Sequence, residues 1–129
     1  MKKITLFLVL ALSLTLIGCS KDGEINAFIT EFDSITNEMV KKIHEGDVDG
    51  ARTAFDAKKA NLKTQWDSIK TAKGFQVSAD TKKKAEESMI KNASALSSAM
   101  IANSMKLATD KAKMEKLKAL VTEYGEIFK

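Results

Sequence analysis

From about residue 24 onward, apolar side chains recur at spacings of three and four, the signature of helices with one buried face. Ile25, Phe28, Ile29, Phe32, Ile35, Met39, Val40 and Ile43 form the first such face, which predicts a helix from about Glu24 to Glu45. Gly46 supplies its C′ stop. Asp47 or Asp49 then caps a second helix, expected to reach about Lys73 with Ala51, Phe55, Leu62, Trp66 and Ile69 inward. Lys58 and Lys59 weaken that face midway. Gly74 is expected to end the helix, with Phe75 folding back on its last turn. Ser78 or Asp80 caps a third helix, whose buried face is expected to hold Met89, Ala93, Leu96 and Met100.

Beyond Met100 the pattern admits two readings. An apolar series at Met100, Leu107, Met114, Val121 and Phe128 runs on, with Leu117 and Tyr124 beside it. No proline interrupts the chain anywhere. A single helix over 79–128 would be roughly 75 Å long, against about 35 Å for the first two. Half of its apolar face would lack a partner unless two chains associated as a homodimer. Asn103 and Asp110 interrupt the inner positions, and Thr109 and Asp110 make an N-cap. A break at about 105–109 gives four helices of similar length, which suits a bundle. The expected fold is therefore all-α, a small up-down four-helix bundle over 24–129. The alternative is a three-helix chain with one long C-terminal helix, dimeric through that helix.

Composition agrees with this. The 129 residues include six glycines and no proline, and lack β-branched runs of period two. The formal charge of +4 overstates the basicity of the body, because Lys2 and Lys3 precede it. Without them, 19 basic residues face 17 acidic ones, with the signs interspersed. No basic stripe with interleaved aromatics is present, so no nucleic-acid partner is expected.

The first 18 residues follow a different pattern. Lys2 and Lys3 precede the apolar run Ile4 to Ile17, broken only by Thr5, Ser13 and Thr15. Its 14 residues fall short of the roughly 20 that span a bilayer core. A positive start, a short apolar run and a small residue before the boundary make a secretory signal peptide. Leu16-Ile17-Gly18-Cys19 closes the run and holds the chain's only cysteine. This sequence resembles the lipobox of bacterial lipoproteins, over residues 1–19 only. The resemblance implies recognition of Leu16, Ile17 and Gly18 by the signal peptidase, a diacylglyceryl group on Cys19, cleavage before it, and acylation of its new amine, as with palmitate. Membrane lipid is then a partner, reached through the covalent lipid on Cys19. Residues 19–23 become the acylated cysteine and a short tether. The address is the cell envelope. In Gram-negative lipoproteins of the enteric type, Ser20 after the cysteine implies the outer membrane, facing the periplasm or the outside.

Candidate chemistry in the body is sparse. His44 is the only histidine, with no partner at metal-ligand spacing. Met39, Met89, Met100, Met105 and Met114 are read as core filling rather than haem ligands. Asp47-Val48-Asp49-Gly50 lacks the remaining acidic ligands of a calcium loop, so capping is its expected role. Glu31/Asp33, Glu86/Glu87 and Asp47/Asp49 are spaced so that they do not face one another on a helix. No catalytic constellation emerges. An enzyme is not expected, nor a metal or a cofactor beyond the lipid.

Helix directions add an orientation. A short tether puts the start of the first helix at the membrane, and the second helix returns there. That end collects Lys21, Lys70, Lys73, Lys82, Lys83 and Lys84, which are expected to rest on anionic headgroups. Glu45, Asp47 and Asp49 are expected to make the far end acidic. The chain thus reads as a lipid-anchored, non-enzymatic structural or protein-interaction module with an envelope protein partner. The alternative is a helical bundle that binds an apolar ligand, haem or metal.

Overall fold

The structure is a computed structural model that describes residues 20–129. Residues 1–19, and with them Leu16, Ile17, Gly18 and Cys19, lie outside the described residues. Four α-helices follow in order: α1 Asp22–His44, α2 Val48–Ile69, α3 Ala79–Ser104 and α4 Lys111–Glu126. A 3-10 turn, Gly74–Gln76, lies between α2 and α3, and no strand occurs among the described residues. α1 packs against both α2 and α3, and α4 closes on α2. The chain is an up-down four-helix bundle, and the single long C-terminal helix does not form.

The break between α3 and α4 falls at 105–110, as the polar interruptions predict. Asn103 is buried at the end of α3, its amide donating back to the Ala99 carbonyl at 2.9 Å. Leu107 tucks into the core. The Asp110 carboxylate then accepts from the Lys113 N–H at 3.1 Å and starts α4. The apolar heptad continues across the break because the turn folds it back onto the bundle.

The α1–α2 link is equally local in origin. Gly46 takes a φ of +79°, which costs glycine little and other residues more. Its N–H bonds the Ile43 carbonyl, and the Asp47 N–H bonds the Lys42 carbonyl, a Schellman closure. The Asp47 carboxylate accepts from the Gly50 N–H at 2.8 Å and caps α2. A side chain at 50 would meet that carboxylate, so glycine suits the position.

Two sequence expectations need correction. α2 ends at Ile69, not near Lys73, and Phe75 does not fold back but stands 83% exposed. The reason is long-range: the Lys21 N–H donates to the Gln76 carbonyl at 2.8 Å, and the Ser78 N–H to the Asp22 carboxylate at 2.8 Å. These bonds hold the 70–78 segment against the start of α1 and draw it off the α2 axis. Second, the inner face of α3 is Thr81, Ser88, Asn92, Leu96, Ala99 and Asn103. Met89 and Ala93 face outward, and Met100 is half-buried. Asp33 of α1 sets this rotation, accepting from the Ser88 hydroxyl and from the Asn92 amide at 2.6 Å. Buried polar groups need partners, and facing Met89 inward instead would leave Asp33 without them.

The core is built mainly from α1, α2 and α4. Phe32 lies at its centre, 5.4 Å from the Tyr124 ring and 5.3 Å edge-on to Phe128. Phe28 stacks on Phe32 at 5.5 Å, and Trp66 meets Phe128 at 5.1 Å. The Tyr124 hydroxyl and the Thr36 hydroxyl share a buried hydrogen bond of 2.6 Å. Burial also raises the Tyr124 pKa, so the phenol stays protonated. Among the described residues, the buried apolar side chains run from Ile25 to Ile127 and form one connected core.

Candidate functional site

The six lysines singled out in the sequence do share one end of the bundle. The two backbone-anchored bonds from Lys21 and Asp22 bring the α2–α3 segment beside the first turn of α1. They are not equivalent, however. Lys21 pairs with Glu24 at 3.0 Å, and Lys70 with Asp67 at 2.7 Å. Hydrogen bonds from the Ser68 hydroxyl and Lys21 hold the Glu24 carboxyl below its usual range. Lys70 and Lys63 do the same for Asp67, and the Ser78 backbone N–H for Asp22. Charge reading alone left out these acidic partners. Lys83 lies 3.8 Å from Glu87 at an exposed position, where an ion pair is worth little. Lys73, Lys82 and Lys84 have no ion pair among the described residues. The cations of this end without an ion pair among the described residues are thus Lys73, Lys82 and Lys84, with Phe75 standing out between them in the chain.

Phe75 is the residue that sequence reasoning misplaced. Its signal was the segment Lys73-Gly74-Phe75-Gln76, an aromatic in a turn flanked by glycine and lysine. The Gln76 side-chain oxygen accepts from the Lys73 N–H at 2.9 Å and tightens the turn. That geometry points the backbone outward with the ring on its tip.

The far end is not acidic, contrary to expectation. The start of α4 lies there, and it brings lysines that the dipolar reading did not count. Lys116 bonds Asp49 at 2.8 Å, and Lys42 lies 3.5 Å from Asp47. The Lys116 contact holds the Asp49 carboxyl below its usual range. Lys41, Lys106 and Lys111 add further exposed positive charge in the same region.

One charged cluster ties α2 to α4. Glu123 accepts from Arg52 at 2.6 Å and from Lys59 at 2.8 Å. These contacts lower its pKa from 4.5 to about 2. A depressed carboxylate stabilises the fold above its unfolded pKa and loses that contribution as pH falls through the folded one. The gap in urea midpoint between the parent chain and Glu123→Gln should therefore be full at neutral pH. It should narrow below pH 4.5 and close towards pH 2. A gap that stays constant over that range would show that the ionised carboxylate is not its source.

The remaining candidates are dispersed. His44 is exposed at the end of α1, where a helix terminus favours a cation. Among the described residues, no three His, Cys, Asp or Glu side chains converge as a group that could hold a metal ion. Met39 is fully buried, Met100 and Met114 are half-buried, and Met89 and Met105 are exposed. Trp66 is half-buried against Phe28. On the outside of α3, Ile90, Ile101 and Met105 lie exposed on one row. No helix among the described residues is long and apolar enough to cross a membrane. Comparisons with protein-family models, curated proteins and solved structures found no match to this chain.

Proposed function

We propose that this chain is a bacterial envelope lipoprotein, anchored through an acylated Cys19, whose bundle lies on the membrane as a non-enzymatic structural or protein-interaction module. The observation that carries the surface orientation is the bond from the Lys21 N–H to the Gln76 carbonyl. It fastens the Phe75 turn beside the start of the body. α1 begins at Asp22, so only Ser20 and Lys21 separate it from Cys19. Two extended residues reach about 7 Å. A lipid on Cys19 then holds the exposed Phe75 ring and the unpaired lysines at headgroup level. An apolar Phe ring buries itself at the headgroup–acyl boundary, and each lysine near an anionic surface contributes about 1 kcal/mol. Ser20 favours the outer membrane where the cell has one. The exposed row of Ile90, Ile101 and Met105 supports the interaction part of the reading, since such side chains on a small body suit a protein partner.

Sedimentation with vesicles tests the orientation. Residues 20–129, without lipid, should bind phosphatidylglycerol-containing vesicles at low salt and release them as salt rises. A variant carrying Phe75→Ser with Lys82→Glu, Lys83→Glu and Lys84→Glu should bind at least about tenfold more weakly. Equal binding by the two proteins would refute this orientation.

A further inference from the structure

A half-open apolar cavity of about 300 Å³ lies between α1, the end of α2 and the first turns of α3. It follows from the composition of α3. Ala85 and Ser88 stand on its inner side where α1 presents Ile25, Phe28 and Ile29, and Met89, which also lines the cavity, stays 39% exposed instead of filling it. The Asp33–Ser88–Asn92 hydrogen bonds hold α3 in the rotation that leaves the gap. A half-open cavity with a mainly apolar lining holds water poorly bound and gains by exchanging it for an apolar guest. The volume is at the lower end of ligand sites, about 300 to 1,000 Å³, and equals about ten groups the size of a water molecule.

The opening is polar and asymmetric. Lys70, Lys82 and Glu86 line it. Lys70 is already paired with Asp67, whereas Lys82 has no ion pair among the described residues. An unfilled apolar slot lined by Phe28 and Trp66 and an ammonium at Lys82 with no ion pair among the described residues together describe a guest with an apolar tail and an anionic end.

We propose that this cavity binds a single-chain carboxylate amphiphile, a fatty acid of about ten carbons, with its tail against Phe28 and Trp66 and its carboxylate at Lys82. Glu86, one turn further along α3, repels the headgroup and directs it towards Lys82. The site shares Lys82 with the proposed membrane face but needs neither the anchor nor Phe75, so a failed titration here leaves the vesicle result standing, and the reverse.

Trp66 is the chain's only tryptophan and reports directly on the site. Its emission should be followed in residues 20–129 during separate titrations with decanoate, decanol and decyltrimethylammonium. Decanoate should give a saturable, one-site change and bind tightest of the three. Lys82→Ala should weaken decanoate by about tenfold and leave decanol unchanged. Ala85→Leu should fill the cavity and abolish both. Because Lys82 is exposed, its replacement keeps the test sound even where Ala85→Leu disturbs folding. The proposal is overturned by the absence of a saturable response to decanoate. It is also overturned by equal affinity for all three probes, or by a Lys82→Ala protein that binds decanoate as the parent does.

Discussion

Replacing Cys19 by serine is expected to abolish incorporation of labelled palmitate and leave the chain longer by residues 1–18. The Cys19 thiol is the only thiol in the sequence. Serine keeps the size and polarity but not the thioether chemistry that the lipobox resemblance implies. Cleavage in that family follows lipidation, so losing one step blocks the next. The effect is all-or-none, because the anchor's strength comes from its chains. One acyl chain binds a membrane marginally and two or three bind it stably, at about 0.8 kcal/mol per buried methylene. Metabolic labelling, gel mobility and mass of the purified chain check the outcome together. A parent protein that takes up no label yet stays with membranes would show residues 4–17 acting as an uncleaved anchor, and the lipoprotein reading would fall.

Phe32→Ala should remove about 3–5 kcal/mol of stability from residues 20–129. Phe32 is 3% exposed and touches the rings of Phe28, Tyr124 and Phe128. Truncation loses the transfer free energy of the ring and leaves a cavity that three neighbouring aromatics cannot all collapse into. Small domains are stable by only about 5–15 kcal/mol, so the variant should unfold at a much lower urea concentration. Phe75→Ala serves as the matched control. The same chemical change at a ring exposed to 83% should move the midpoint by less than about 0.5 kcal/mol. Near-equal midpoints for the two variants would contradict the placement of Phe32 at the centre of the core.

The residues that proved readable from sequence are those whose structure is decided locally. Six of the eight apolar positions assigned to α1 are buried, and Ile29 and Val40 pack at the edge. Gly46 and Asp47 do what their turn chemistry predicts, and Asp110 starts α4 where the apolar series is interrupted. What was not readable depends on partners far along the chain. The rotation of α3 is set by Asp33, more than 50 residues away from Ser88 and Asn92. By hydropathy Met89 and Ala93 are the better core residues, yet they face out. The same holds for the ends of the bundle. Asp67 lies three residues from Lys70 and is visible in the string of letters, but Lys116 over Asp49 appears only once the helices are assembled. Phe75 was read as a local cap because nothing nearby shows that Lys21 and Asp22 hold its turn away from α2.

The bond between the Lys21 N–H and the Gln76 carbonyl also has a mechanical meaning. In an anchored chain, every tug from the membrane enters the body through Lys21. The load does not run down the α1 axis alone. Part passes sideways through Gln76, and part through the Asp22–Ser78 bond, into the first turn of α3. Two neighbouring helices therefore share the strain, while α4 and its aromatic contacts carry none of it directly. A pull on the lipid would first peel the 74–78 turn from α1 and leave the Phe32 cluster closed. The turn acts as a strain relief for the core, much as a clamp at a cable's end protects the joint behind it.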